Sequence, residues 1–242
     1  MRAWYLDNSI WQETSSLSQA LGIGDFGKGT LAVIGSGGKT TAIFRLAEEF
    51  AAKELKVIVT TTTRMFREPG SLATTVEEAK ELLEQQSIVI VGRSAEEGKI
   101  AGLEEEQAKE LAKLADIVLV EADGSKHFPL KIPAAHEPVI PSGSDKIILV
   151  VGLSGIGARL SESCHRAERI SELLDLTMEH IIESKDIVNM LQSGYLDKLL
   201  SARHQVLILL NQADDTKLRR TGEFIAGLLE PITCVISELN QE

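Results

Sequence analysis

The chain alternates short apolar runs with segments in which apolar residues recur every three to four positions. Short continuous runs are typical of strands buried on both faces, and the longer spacing is typical of amphipathic helices. The predicted strands are 31–34, 56–60, 87–92, 116–120, 146–151, 205–210 and 232–236, with a short edge pairing at 99–101. The predicted helices are 15–21, the segment after residue 40, 75–86, 103–114 and 218–229. This alternation predicts a mainly parallel, doubly wound α/β sheet between two layers of helices.

Two segments do not follow this alternation. Residues 1–28 are predicted as a lead-in to the first strand, with only the helix at 15–21. Residues 161–203 contain several helical patterns in succession and predict a helical elaboration after the middle strands. No repeat, low-complexity tract or linker divides the sequence, so we expect residues 1–242 to form a single three-layer α/β/α domain.

The first predicted strand runs into a glycine-rich loop and then into a helix. Residues 31–41 read LAVIGSGGKTT, and the following apolar residues are spaced as one face of a helix. Glycines let backbone N–H groups turn toward an anion, the helix N-terminus adds partial positive charge, and a lysine can bridge phosphates. A hydroxyl next to the lysine can bind the magnesium of a nucleoside triphosphate. The predicted phosphate contacts are Gly35, Ser36, Gly37, Gly38, Lys39, Thr40 and Thr41.

This loop is shorter than the usual phosphate-binding pattern. Val33 stands where that pattern requires its first glycine, so the motif here is G-x-G-G-K-T-T. Such a shortened loop is similar to those of Mur-type ligases. The alternative interpretation is a glycine turn that only begins a helix, but such a turn does not require Lys-Thr at the helix start. The residues therefore favour phosphate binding.

Composition narrows the possible partners. The 242 residues are 43% hydrophobic and 25% charged, which is ordinary for a globular protein. A formal net charge of −11 argues against broad binding to nucleic acid, which requires a basic face. We expect no membrane span and a cytoplasmic location, because no apolar run is long enough and the first residues lack a signal-peptide layout. Cys164 and Cys234 are predicted to be reduced thiols.

Two acidic residues follow the apolar strand 116–120. Glu121 and Asp123 lie two positions apart, so both point to the same side of an extended chain. Nucleotide hydrolases place an acid here to hold magnesium or its water shell. Either carboxylate suits that role, and the alternative is an ordinary Asp-Gly turn at the strand end.

Residues 127–141 contain four of the six prolines and predict an ordered, extended segment, which we call the proline segment. Its polar residues, with Lys126 just before it, could bind an anionic substrate or position a base. The alternative is a rigid crossover whose polar residues face water. The candidate substrate-binding residues are Lys126, Lys131, His136 and Glu137.

A late strand ends in the sequence NQAD, residues 211–214. Guanine-binding triphosphatases use Asn-Lys-x-Asp at this place, where the aspartate accepts hydrogen bonds from the guanine N–H groups. Asn211 and Asp214 fit that pattern, whereas Gln212 replaces its lysine. The residues therefore favour GTP over ATP and leave both open. His165 and Arg166, near the start of the helical elaboration, are weaker candidates for the same site.

Taken in order, the motifs GSGGKTT, TTTTRM, VEADGSKHFPLKIPAAHEPVIP and NQAD resemble the selenium-dependent hydroxylase accessory proteins of the YqeC type, over about residues 31–214. The resemblance implies a P-loop NTPase-like fold and a role in the maturation of selenium-dependent molybdenum hydroxylases. A molybdenum hydroxylase or its cofactor-assembly proteins would then be partners. It also supports the phosphate contacts of the glycine loop and implies that six polar residues belong to the site: Glu121, Asp123, Lys126, Lys131, His136 and Glu137.

These observations support two hypotheses from different classes of reaction. The first is magnesium-dependent binding and hydrolysis of GTP or ATP, with Lys39, Glu121 and Asp123 catalytic and with Thr40 and Asp123 holding Mg²⁺. The second is a transferase or ligase that uses the triphosphate to modify an anionic small molecule such as a pterin phosphate. A nucleotide-binding regulator without turnover is a third possibility. Product analysis separates the first two, and binding without hydrolysis, even with candidate clients present, would indicate the third.

Overall fold

The computed structural model describes residues 1–66, 69–102, 105–124 and 126–239. Its strands are β1 (Arg2–Asp7), β2 (Ile10–Thr14), β3 (Gly29–Gly35), β4 (Val57–Thr61), β5 (Arg64–Phe66), β6 (Leu72–Ala73), β7 (Ile88–Val91), β8 (Arg93–Ser94), β9 (Lys99–Ala101), β10 (Ile117–Glu121), β11 (Leu130–Lys131), β12 (Lys146–Gly152), β13 (Cys164–His165), β14 (Val206–Asn211) and β15 (Cys234–Glu238). Its α-helices are α1 (Leu17–Ala20), α2 (Lys39–Ala51), α3 (Val76–Gln85), α4 (Glu105–Leu114), α5 (Leu160–Ser163), α6 (Ala167–Leu174), α7 (Ser184–Leu191), α8 (Asp197–Ser201) and α9 (Thr216–Leu228).

Ten strands form one sheet in the order β2–β1–β15–β14–β12–β3–β10–β4–β7–β6. The strands from β15 to β6 are parallel, and β1 and β2 add an antiparallel edge. Alternate residues of β3 pack on opposite sides: Leu31 and Val33 join the core that contains α2, while Ala32 and Ile34 join the core that contains α7 and α9. Because helices cover both faces, the predicted mainly parallel, doubly wound α/β architecture is confirmed.

The N-terminal edge differs from the predicted lead-in. Residues 1–14 form the hairpin β1–β2, whose turn contains Asn8 and Ser9 with positive φ angles of 47° and 65°. Such turns match the twist of antiparallel strands. Trp4 is buried against the core, and its indole N–H donates to Glu13 over 2.9 Å. The antiparallel pair covers one edge of an otherwise parallel sheet.

The helical elaboration contains α5, α6, α7 and α8, with a π-helical turn, Gln192–Leu196, between the last two. Its first residues connect to the proline segment through a short parallel pair, β11 with β13, in which Lys131 lies opposite His165. The start of the predicted helix 103–114 lies outside the described residues, and α4 begins at Glu105. Among the described helices, none has the length and apolar character needed to span a bilayer.

Candidate functional site

The glycine loop, residues 35–38, connects β3 to α2 in a conformation that only glycine tolerates. Gly35, Gly37 and Gly38 have φ angles of 94°, 85° and 113°. A side chain at Gly37 would approach the Gly152 nitrogen to 2.3 Å, and one at Gly38 would approach Asn211 Nδ2 to 2.3 Å. The loop therefore packs directly against the ends of β12 and β14, and its backbone leads directly into the N-terminus of α2.

The N-terminus of α2 retains its partial positive charge. Its N-cap is Gly38, which carries no side chain to accept the first amide hydrogens, and its first turn reads Lys-Thr-Thr-Ala. The first N–H groups of a helix have no partner within the helix, and the helix dipole favours an anion beside them. The geometry suits a phosphate group.

Lys39 is folded back along the glycine loop. Its side chain is only 3% exposed, and its Nζ donates to the Gly35 carbonyl over 2.9 Å and lies 3.2 Å from Asp123 Oδ1. The ammonium group thus lies at the start of α2, beside the loop backbone and within reach of an acidic strand end.

Thr40 and Glu121 form the second part of the site. The Thr40 hydroxyl donates to Glu121 Oε2 over 2.9 Å, which joins the start of α2 to the end of β10. Burial raises the pKa of Glu121, against the opposing effects of the Lys39 charge and the Thr40 hydrogen bond. A hydroxyl beside a carboxylate supplies the oxygen ligands that Mg²⁺ prefers. These two residues therefore fit a magnesium site.

Asp123 has a different environment from the one the sequence predicts. It is fully buried, and its Oδ2 accepts from the Gly35 N–H over 3.0 Å and lies 2.8 Å from Lys131 Nζ. The sequence predicts Thr40 and Asp123 as magnesium ligands, but the structure directs Thr40 to Glu121 and surrounds Asp123 with two ammonium groups. Asp123 thereby ties the glycine loop to the proline segment.

The contacts of Asp123 continue as an alternating series of charges. Lys131 Nζ lies 3.1 Å from Glu137 Oε2, and the Arg166 guanidinium donates to both Glu137 oxygens over 2.8 and 3.1 Å. Lys131 is fully buried and also donates to the Gly124 carbonyl over 2.6 Å. We call Lys39, Asp123, Lys131, Glu137 and Arg166 the ion-pair chain. It connects the glycine loop to the helical elaboration and uses two of the residues that the sequence assigns to an anionic substrate, Lys131 and Glu137.

Glu137 makes part of the stability depend on pH. Burial alone would raise its pKa, but Arg166 and Lys131 lower the pKa to about 2 from the ordinary 4.5. Because the folded value lies below the unfolded one, this carboxylate contributes stability above about pH 4.5 that disappears as pH falls toward 2. We expect Glu137→Gln to be less stable than wild type at pH 7, with the difference shrinking between about pH 5 and pH 2. Urea unfolding over this pH series measures it.

The exposed Glu81→Gln is the control for that series, because it removes a carboxylate without removing a buried ion pair. A stability difference between Glu137→Gln and wild type that stays constant over this range would contradict the assignment.

Asn211 supports the glycine loop from the end of β14. Its Nδ2 donates to the Gly37 carbonyl over 2.8 Å, while its Oδ1 accepts from the Ser237 hydroxyl over 2.9 Å. Asp214 is exposed at the same end of the sheet, where partial burial and the nearby Glu238 and Asp215 carboxylates raise its pKa. Asn211 is therefore placed to fix the loop, and Asp214 is accessible to a ligand.

The other predicted residues are distributed unevenly. Ser36 donates to the Pro129 carbonyl over 2.9 Å, and Thr41 is half-buried in the first turn of α2. Lys126 and His136 are exposed, and neither hydrogen-bonds or pairs with the ion-pair chain within the described residues. The structure thus brings together Lys39, Thr40, Glu121, Asp123, Lys131 and Glu137, but leaves Lys126 and His136 outside this cluster.

Two residues of the cluster carried little or no sequence signal. Arg166 joins it because its backbone adopts a left-handed conformation, with φ 63°, directly after β13. Tyr195 lies close enough for the charges of Asp123 and Glu137 to raise its pKa, together with the larger effect of burial. The described residues contain no group of three or more His, Cys, Asp or Glu arranged to hold a metal ion.

Comparison with known proteins identifies the family. The family model described as YqeC protein matches residues 31–168. The uncharacterized protein YqeC of Escherichia coli K12 is 34% identical over 172 residues, which cover 65% of each chain, so this chain spans about two thirds of that relative. HypB from Helicobacter pylori, solved in complex with nickel, is 12% identical over 88% of this chain and 79% of that one; its TM-score of 0.38 is too low to support an argument. The chain belongs to the YqeC family.

Proposed function

We propose that this protein binds a magnesium nucleoside triphosphate at the glycine loop and hydrolyses it. The observation that carries this proposal is the placement of the Lys39 ammonium and the Thr40–Glu121 pair together at the uncapped N-terminus of α2. Amide hydrogens, an ammonium group and a hydroxyl–carboxylate pair are the groups that triphosphate binding requires.

In this proposal Lys39 exchanges its partners when the nucleotide binds. The Gly35 carbonyl and Asp123 now hold the ammonium group over 2.9 and 3.2 Å, and phosphate oxygens would take their place. Amide N–H groups at the start of α2 would bind the same phosphates. Asp123 would remain with Lys131 and would keep the glycine loop in position through its bond to the Gly35 N–H.

Thr40 and Glu121 are the residues that would hold Mg²⁺, rather than Thr40 and Asp123, because their oxygens already lie together. The ion neutralises the charge of the phosphates when it is bound. Glu121 would also orient the attacking water. Unlike Asp123, its carboxylate has no cation within ion-pair distance among the described residues, so it is available to a water. Lys39 would stabilise the negative charge that develops on the transferred phosphate.

GTP is the nucleotide that the end of β14 favours. We expect Asp214→Ala to weaken GTP binding by about 10–100-fold, because two charge-assisted hydrogen bonds to the guanine would be lost. ATP binding should be unchanged, since adenine lacks those donors. Competition titrations with both nucleotides measure the change, and the exposed Asp25→Ala is the control. An equal loss for GTP and ATP would remove the assignment of Asp214 to the base.

The resemblance of the motifs to those of selenium-dependent hydroxylase accessory proteins supports the further proposal that this activity serves the maturation of selenium-dependent molybdenum hydroxylases. The client would be the hydroxylase or one of its cofactor-assembly proteins. Hydrolysis that is slow alone and faster with such a client would support an accessory role.

One observation favours the alternative of a transferase or ligase. A groove of about 580 Å³ lies between the proline segment and the helical elaboration, and its lining contains Arg169 and Lys198 beside Glu137 and Glu172. An anionic small molecule such as a pterin phosphate could bind there, whereas the buried Lys131 is already paired with Asp123 and Glu137. Consumption of nucleotide only when such a molecule is present would favour this alternative.

The test is a panel of GTP, ATP and other nucleoside triphosphates, each with and without Mg²⁺. We expect GTP to raise the melting temperature most and to yield GDP and phosphate only with Mg²⁺. A panel in which no triphosphate changes the melting temperature would overturn the proposed function.

A further inference from the structure

Tyr195 is a buried polar residue that the proposed mechanism does not use. It lies in the π-helical turn between α7 and α8, and its side chain is 2% exposed. Its hydroxyl has no hydrogen-bond partner within the part of the chain that the structure describes. A buried hydroxyl without a partner opposes folding, and π-helical turns occur frequently at functional sites. Both features call for an explanation beyond packing.

The surroundings of Tyr195 connect it to the glycine loop. It lines a small cavity of about 10 Å³ together with Ser36 of the loop and Lys131 of the ion-pair chain. The rest of its lining is apolar, including Leu149 and Met190. The Lys131 ammonium is 2.8 Å from Asp123 Oδ2, so Tyr195 and Asp123, the carboxylate beside Lys39, both lie next to Lys131. Burial, with the charges of Asp123 and Glu137, raises its pKa, which keeps the hydroxyl protonated as a donor.

We propose that Tyr195 is a positioning residue for nucleotide binding: its hydroxyl becomes a donor to the Asp123 carboxylate when phosphates draw Lys39 away. The inference rests on the proposed function. If it holds, a residue of the helical elaboration stabilises the nucleotide-bound arrangement of the glycine loop through Asp123.

In the proposed function, nucleotide binding removes one cation from Asp123. Its Oδ1 faces Lys39 at 3.2 Å and has no hydrogen bond of its own among the described residues. When Lys39 turns to phosphate, this buried oxygen loses its cation while Oδ2 keeps Lys131 and the Gly35 N–H. An uncompensated buried carboxylate oxygen opposes binding. Tyr195 supplies a buried donor that has no partner among the described residues, so nucleotide binding and the hydroxyl are coupled.

The test compares Tyr195→Phe with wild type in nucleotide affinity and in stability. We expect GTP affinity, measured with Mg²⁺ by calorimetry, to fall by about 5–15-fold, which corresponds to one hydrogen bond. Stability without nucleotide should stay the same or rise, because the variant removes a hydroxyl that has no protein partner. Tyr5→Phe on β1 is the matched control and should change neither quantity.

A spectroscopic readout distinguishes this role from simple packing. The sequence has two tyrosines, so the ultraviolet difference spectrum of the Tyr5→Phe variant reports Tyr195 alone among them. We expect a red shift of the tyrosine band on GTP binding as the hydroxyl becomes a donor. In Tyr195→Phe, which retains Tyr5, we expect no such shift.

Two outcomes would overturn the inference. The first is unchanged GTP affinity in Tyr195→Phe while wild type binds GTP, which leaves the proposed function intact. The second is an equal loss of stability with and without nucleotide, which marks a hydroxyl that is only structural. Failure of wild type and Tyr5→Phe to bind any triphosphate would instead remove the proposed function, and this inference with it.

Discussion

Replacing Lys131 by methionine is expected to lower the free energy of unfolding by about 3–5 kcal/mol, because removal of one member of a buried ion pair leaves its partner uncompensated. Here a single ammonium contacts Asp123 at 2.8 Å and Glu137 at 3.1 Å, with both lysine and aspartate fully buried. Methionine keeps most of the volume of the side chain but none of its charge. Urea unfolding at pH 7 measures the effect.

Lys126→Met is the control for this measurement. Lys126 is exposed and precedes the proline segment, so its replacement should change stability by about 0.5 kcal/mol or less. A double variant, Lys131→Met with Asp123→Asn, should lose less stability than the sum of the two single variants, since the two side chains are in contact. A loss of less than about 1 kcal/mol in Lys131→Met would show that the ion-pair chain does not hold the proline segment against the sheet.

Replacing Glu121 by glutamine is expected to reduce the rate of nucleotide hydrolysis by on the order of 100-fold. Glutamine resembles the protonated carboxyl in shape and can still accept from Thr40, but it cannot carry the negative charge that holds Mg²⁺ or orients a water. Binding of the nucleotide in the absence of Mg²⁺ should change little, because in the proposed function Lys39 and the loop amides would make those contacts. Single-turnover hydrolysis and binding titrations separate the two effects.

Thr40 provides a matched pair of variants for the same site. Thr40→Ser keeps the hydroxyl that donates to Glu121 over 2.9 Å and should retain most of the activity, whereas Thr40→Ala should resemble Glu121→Gln. If Glu121→Gln hydrolyses GTP at the wild-type rate, the Thr40–Glu121 pair is not the magnesium site.

The elements around the glycine loop follow from local sequence. β3, the loop and α2 are adjacent in the chain, and their apolar spacing and glycines carry the information directly. Glu121 is the last residue of β10, and its position beside the glycine loop follows from the rule that parallel strands have their carboxyl ends on the same side of the sheet. Pairing of Thr40 with Glu121 rather than with Asp123 could not be predicted, because two carboxylates two residues apart on an extended chain look alike in sequence.

The ion-pair chain depends on contacts that are distant in sequence. Lys131 and Arg166 come together because β11 pairs with β13 and Arg166 then adopts a left-handed conformation. The residues next to β11, β13 and Arg166 in the sequence indicate neither this pairing nor this backbone conformation. Tyr195 lies in a helical pattern where an aromatic residue is most simply a core residue, and its unpartnered hydroxyl becomes evident only when the glycine loop is placed beside it.

The N-terminal hairpin β1–β2 is absent from the elements that the sequence predicts for another reason. Burial along β1 does not alternate, since Ala3 and Trp4 are both buried, each in a different core, and β2 is largely exposed. A strand at the edge of a sheet therefore does not show the pattern by which internal strands are recognised. The turn residues Asn8 and Ser9 were its one local indication.

The measurement that tests the central claim most directly is a calorimetric titration of magnesium GTP into wild type and into Lys39→Ala. We predict saturable binding by wild type and a loss of about 100-fold or more in the variant, because the ammonium at the start of α2 would contact the phosphates. Lys28→Ala, which removes an exposed lysine before β3, should bind as wild type does. Equal affinity of wild type and Lys39→Ala for magnesium GTP would contradict the account.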